Sequence, residues 1–375
     1  MNTVTLSCTN LEELESKIEQ TITVDFYPTV AICFFSYRFE PVQLSQIFKR
    51  FKIDLLACTS ADEFTNGNIT SDEMAVILFD IDKAHYRLYI TDTDDDNVVH
   101  WGEETAKYGK LHFSDPAFIS LLDINTCGDF FIEGINNKAP NSKIFGGLSA
   151  VGDTANPMHI VVNDKISKKA VGSLILDTSR IEVKGQAISG WKAIGSLQTI
   201  TKCDGNKILE INGEPALSYF NKIVGTYHNS DAKADNLMLA SFQYPLQINK
   251  DGESILRAPL LSNKEENSIV VGGKVSKGDQ FKFSYAPGIQ VVKDTVAKFK
   301  EFAIDNHDVD AVLLFNCKAR QAAFGPIIKD EVQAIYKLWN KPMIGFFCFG
   351  EIGRNKSGKT YLYNETCSIV TIKQK

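Results

Sequence analysis

Short unbroken apolar runs, separated by amphipathic stretches, constrain this chain more than any other feature. Residues 29–36 read Thr-Val-Ala-Ile-Cys-Phe-Phe-Ser, with no polar alternation. That is the pattern of a strand covered on both faces. Residues 55–59, 74–79, 118–124, 311–316 and 343–349 read in the same way. Between them, Leu11, Leu14, Ile18 and Ile22 fall at helical spacing behind Asn10, a residue suited to cap a helix. Further helices are predicted over 42–51, 98–108, 129–136, 214–224, 291–303 and 327–338. Strands covered on both faces need helices to cover them, so the pattern implies a layered α/β protein.

From 144 to 211 the pattern shifts to short strands. Asn163-Asp164 and Asp204-Gly205-Asn206 sit where hairpin turns belong. Residues 226–236 are polar and irregular, and mark a boundary between a first module over 1–225 and a second over 226–375. Strands are expected near Leu237, Ile255 and Ile269 and over 280–285, and residues 361–372 close the chain as strand. Two faint echoes, Gly146–Asp153 with Gly272–Asp279 and Cys58…Glu63 with Cys348…Glu351, are read as recurrent turns rather than duplication.

Composition removes several function classes. The 375 residues are 44% hydrophobic and carry a formal net charge of −6, which suits a chain that buries a sizeable core and disfavours a phosphate-backbone partner. No nucleic-acid partner and no membrane insertion are expected, because basic blocks and long apolar spans are both missing. The first residues show no basic, then apolar, leader, and eight scattered cysteines form no C-x-x-C pair. Both point to a reducing cytoplasmic setting.

Two strings imitate known sites. Gly353-Arg-Asn-Lys-Ser-Gly-Lys-Thr360 spells a P-loop, but β-rich sequence follows it where a phosphate-binding helix is needed, so it is read as a hairpin loop. Asp92, Asp94, Asp96 and Glu103 space like a calcium loop, but a strand precedes them, so they are read as an acidic helix start. The six histidines show no zinc spacing, and no nucleophile signature is present.

Several strings, in order along nearly the whole chain, together resemble the FIST family. They are Leu56-Ala-Cys-Thr-Ser-Ala-Asp-Glu63, Ile144-Phe-Gly-Gly-Leu-Ser149, Gly190-Trp191, Thr201 to Leu217, Phe315-Asn-Cys317-Lys-Ala-Arg320, Gly345-Phe-Phe347-Cys-Phe-Gly350-Glu351 and Asn364-Glu-Thr366. The resemblance implies two intimately associated mixed-sheet modules. It also implies a stand-alone, non-catalytic sensor that binds a small-molecule ligand and reports to a signalling protein such as a histidine kinase. Some family members bind haem and sense nitric oxide. Haem is therefore a candidate cofactor here, with His228 its candidate ligand. A third reading is a hydrolase using Cys317 or Cys348.

The candidate ligand-binding residues are Cys317, Arg320, Phe347, Gly350, Glu351, Asn364 and Thr366. Cys317, Arg320 and Glu351 fall at the ends of predicted buried strands, where α/β proteins form binding crevices. Arg320 has two readings, a contact to ligand or an ion pair with Glu331 or Glu351. Gly345 and Gly350 either let a ligand approach the backbone or serve packing. Asn364 and Thr366 alternate, which on one strand would turn both to the same side.

Overall fold

The computed structural model describes residues 1–91, 97–224, 243–250 and 252–375. One succession of elements is made three times. The first copy runs β1 (Thr3–Cys8), α1 (Leu11–Thr21), β2 (Val30–Ser36), α2 (Pro41–Arg50), β3 (Asp54–Ser60), the hairpin β4 (Glu63–Thr65) and β5 (Asn68–Thr70), then β6 (Met74–Phe79). The second runs β7 (Tyr86–Thr91), α3 (Val98–His112), β8 (Pro116–Leu122), α4 (Gly128–Lys138), β9 (Lys143–Leu148), β10 (Ile160–Val162), β11 (Lys165–Ser167) and β12 (Val171–Asp177). The third opens with β13 (Ile181–Ile188) and is interrupted by an inserted block. It resumes with α5 (Ile289–Ile304), β14 (Ala311–Cys317), the helices α6 (Lys318–Phe324) and α7 (Ile328–Trp339), β15 (Met343–Cys348), β16 (Glu351–Arg354), β17 (Thr360–Tyr363) and β18 (Cys367–Gln374).

Local sequence explains many of these boundaries. Asn10 caps α1 by accepting the amide of Glu13 at 2.8 Å, and α1 buries Leu14 and Ile18 on one face. Pro41 opens α2, where its missing N–H costs nothing. Asn163 takes a left-handed φ of +53° in the turn between β10 and β11, as the hairpin signal predicts.

Three six-stranded sheets result, in the orders β1-β6-β2-β3-β10-β11, β7-β12-β8-β9-β16-β17 and β13-β18-β14-β15-β4-β5. Each contains one parallel pair, β2 with β3, β8 with β9 and β14 with β15; the other pairings are antiparallel. The hairpin at the end of each sheet comes from another unit. The first unit lends β4–β5 to the third, the third lends β16–β17 to the second, and the second lends β10–β11 to the first. The exchange is cyclic. It makes the modules either side of residue 225 inseparable in the sheets, since β13 also pairs with β18.

The centre of the molecule is one apolar core fed by all three units, including Phe34 and Cys58, Ile119 and Phe145, and Phe315 and Phe346. Phe34 and Phe346 lie 4.4 Å apart by ring centroid, and Phe315 meets Phe34 edge-on at 6.1 Å. Burying one such ring is worth about 1.5–3 kcal/mol, so the units are held together by the packing that holds each of them. The helices cover the outer faces.

The inserted block between Lys192 and Tyr285 is a curved antiparallel half-barrel around Ile200, Ile208, Phe220, Ile248, Ile269 and Phe281. It docks on α4 and on the β17–β18 turn. Arg257, fully buried, pairs with Asp129 at 2.9 Å and donates to the carbonyl of Leu362 at 2.8 Å. The 226–236 boundary and the strand near Leu237 lie outside the described residues.

Two expectations change. The echoes dismissed as turns do include a true repeat, although sequence mispaired it: the counterpart of Cys348 is Ser60, not Cys58. Residues 361–372 are not one strand either, because 364–366 form a turn between β17 and β18. The P-loop string is a hairpin loop, with Arg354 paired to Thr360 and strand, not helix, after it. Among the described residues, no helix is long and apolar enough to cross a membrane.

Candidate functional site

The carboxyl ends of the parallel strands carry the polar groups, as open α/β sheets favour. The three units repeat one backbone arrangement there. The amides of Ser36, Asp123 and Cys317 donate to the carbonyls of Glu73, Ala170 and Thr366 at 3.0, 3.1 and 3.1 Å. Ser36 pairs in register with Ser60, and Cys317 with Cys348; Asp123 and Ser149 follow the pair Leu122–Leu148. The residue that opens each lent strand is Glu63, Ile160 or Glu351.

In the third unit, Glu351 accepts from the Cys348 thiol at 3.2 Å and from the Thr366 amide at 3.3 Å. In the first unit Glu63 does the same with the Ser60 hydroxyl and with the Glu73 amide at 3.4 Å. In the second unit Ile160 stands where the acid would be, and the buried Ser149 hydroxyl has no partner among the described residues.

The turn after β17 completes the third arrangement. Glu365 sits at φ +53°, a left-handed backbone uncommon for a residue with a side chain. It is 0% exposed, and neither carboxyl oxygen has a hydrogen-bond partner among the described residues. Burial, followed by the nearby Glu351, raises its pKa well above the usual carboxyl range. Burial also raises Glu351 well above that range, against the pull of the two thiols, the Thr366 amide and Arg320. Cys317 and Cys348 are pushed up by burial and then by Glu351. The result is a closed cluster of two buried acids and two buried thiols, all with pKa values pushed up by burial.

Asn364 and Thr366 flank Glu365 in that turn. Asn364 Oδ1 accepts the Ala258 amide at 3.1 Å, tying the site to the inserted block, and Thr366 Oγ1 donates to the Asn364 carbonyl at 2.8 Å. Gly350 gives its carbonyl to Leu148 and packs on Leu362, and a side chain at Gly345 would meet the Leu314 carbonyl at 2.0 Å. Gly345 is fixed by packing. Thus Cys317, Gly350, Glu351, Asn364 and Thr366 come together.

Arg320 and Phe347 lie on the other face of the sheet. Arg320 is fully buried and bidentate to Glu331, at 2.5 and 3.0 Å. It also donates to Thr295 at 2.8 Å and to the carbonyls of Ser189 and Glu365, with its guanidinium 4.7 Å from the Phe324 ring centroid. Its donors are spent on the fold, and it holds the Glu365 turn from behind. Phe347 stacks edge-on to Phe64 at 5.3 Å in the core under the helices. Sequence reasoning passed over Glu365, Glu63 and Ser149. The left-handed turn at Glu365 carried no glycine to announce it.

His228 lies outside the described residues. Among those described, no group of three or more His, Cys, Asp and Glu side chains is placed to hold a metal ion.

Comparison with known proteins agrees with the motif order. The chain is 24% identical over 257 residues to an uncharacterised protein of Mycobacterium tuberculosis strain H37Rv, covering 64% of this chain and 63% of that protein. An uncharacterised protein of Mycobacterium bovis is 25% identical over 252 residues, with the same coverage. The match spans less than two thirds of the length of these relatives. The FIST N domain model matches residues 29–214 and the FIST C domain model residues 216–354. The chain belongs to the FIST family, whose domains are associated with signal transduction and the sensing of small ligands.

Proposed function

We propose that this protein is a non-catalytic sensor whose ligand sits against Cys317, Cys348, Glu351 and Glu365. One observation carries the reading: both carboxyl oxygens of Glu365 are buried without a partner. Leaving such a group unsatisfied costs about 1–3 kcal/mol, a cost that a ligand can remove. Two adjacent buried acids, both with pKa raised by burial, suit a small amine. Its ammonium group replaces a proton, and the carboxyl it meets becomes a paired carboxylate. The raised thiol pKa values leave little thiolate, which weighs against a cysteine nucleophile.

In this reading the modules 1–225 and 226–375 act as one body in the cytoplasm. The inserted block, tied to the site through Asn364, passes the bound state to a contacting signalling protein such as a histidine kinase. Calorimetry with small mono- and diamines, in two buffers of different ionisation enthalpy, tests the ligand step. Binding with release of about one proton is expected, and Glu365→Gln should remove it. If no amine binds better than its neutral acetamide, or if Glu365→Gln binds as the parent does, the reading fails. Haem, with His228 as its ligand, is checked separately by the absorption spectrum on adding haem and nitric oxide.

A further inference from the structure

The hairpin loop that spells a P-loop borders a cleft of about 400 Å³, on the outer side of β13 and away from the Glu365 cluster. Lys143, Gln186, Phe302, Arg354, Asn355 and Lys356 contribute to its walls. Charge is unevenly matched there. Lys356 pairs with Glu301 at 3.3 Å, and Lys184 at the rim pairs with Glu182 at 3.1 Å. Lys143 has no carboxylate within ion-pair reach among the described residues. Half-buried, it has its pKa lowered by desolvation and then by Arg354. Among the described residues Arg354 donates only to the Gly358 carbonyl, through Nε at 2.7 Å and through Nη2, and Nη1 has no acceptor.

A second, independent feature points the same way. Asn355 is 8% exposed, and its Oδ1 accepts the Lys359 amide at 2.9 Å and the Ser357 hydroxyl at 2.8 Å. The amide donor fixes which end of the side chain is oxygen. Nδ2 is therefore a donor, and it is buried with no partner among the described residues. Three donor groups, two of them cationic, thus border one cleft and lack an acceptor.

We infer that this cleft binds a phosphate-type anion through Lys143, Arg354 and Asn355. A phosphate dianion offers several acceptor oxygens, which matches this set better than a carboxylate does. Phe302 supplies an apolar wall for an organic substituent. Nucleotide hydrolysis is not part of the inference, because strand follows the loop and no helix N-terminus faces the anion.

Calorimetry of the full chain at low salt tests it, with inorganic phosphate, phenyl phosphate, and acetate at matched ionic strength. Phosphate should bind at one site, and more tightly than acetate. Lys143→Gln should weaken it at least about tenfold, the loss of one charge-assisted bond. Asn355→Ala should weaken it less. Lys264→Gln, an equal charge change in an exposed loop of the inserted block, should leave it unchanged. Tighter binding of phenyl phosphate identifies a phosphate monoester as the ligand; equal binding identifies the free anion. Phosphate binding no better than acetate overturns the inference. So does a Lys143→Gln or Asn355→Ala protein that melts like the parent and binds phosphate as well.

Discussion

The turn before β6 and the turn before β18 are counterparts, and they treat an acid in opposite ways. Asp72 and Glu365 both sit at left-handed φ, +61° and +53°. Each precedes a residue whose amide reaches the acid of the lent strand, Glu63 or Glu351. Asp72 is exposed, accepts from Ser36 at 3.2 Å and pairs with Arg38 at 3.2 Å. Glu365 is sealed from solvent, and Arg320 beneath it donates to its backbone carbonyl rather than its carboxyl. One part of the difference lies outside the repeat. The inserted block reaches the third turn through Asn364 and Ala258. Hence one turn can be a solvated corner of the fold and the other a candidate receptor site.

The sharpest break between the two comes from their arginines. Arg320→Ala leaves Glu331 buried and unpaired, and should cost about 3–5 kcal/mol. Arg38→Ala removes an exposed pair and should cost about 0–1 kcal/mol. Denaturant unfolding of both variants checks this. Similar losses would mean that the two turns are not as differently built as described.

Acid titration should show the next largest effect. Glu63 is raised from 4.5 to about 8 by burial, and Glu351 and Glu365 are raised in the same direction. Between the ordinary and the raised values the folded chain holds more protons than the unfolded one. Stability should therefore fall as pH rises above about 4.5, by up to about 1.4 kcal/mol per pH unit for each group. Glu63→Gln should remove the part of the slope that ends near pH 8. Glu365→Gln should remove a further part of the slope. A pH-independent melting curve would contradict all three assignments.

Thiol labelling gives the smallest signal, and no stability change is expected from it. Cys127 and Cys203 are partly exposed, whereas Cys317 and Cys348 are buried. An aromatic disulfide reagent at neutral pH should modify the first pair in the native protein and the second only after unfolding. Early reaction at Cys317 would show that the third site opens readily.

The strands and helices were largely legible, because burial on both faces leaves unbroken apolar runs such as 74–79, which matches β6. The threefold repeat was not. Its equivalences reside in backbone pairing, and the side chains at one equivalent position are Ser36, Asp123 and Cys317. Nor could pattern reading choose between the two roles of Arg320, since that depends on which face of β14 the following helix covers. The candidate site was legible in part: Cys317 and Glu351 fell at strand ends. Glu365 was hidden because its neighbours read as strand, and only the tertiary fold shows that the chain turns there.

The cyclic lending of hairpins bears on how the chain is made. A ribosome delivers β4–β5 early, yet the strand they dock on, β15, emerges some 270 residues later. The first unit in turn waits for β10–β11, and the second waits for β16–β17. The first sheet can close once β10–β11 is made, but the second and third need strands from residue 351 onward, so their edges stay open until then. Pairings so distant in sequence fold slowly. A nascent chain of this kind needs protection over that interval, and one cut before β16 would lack strands of the second and third sheets.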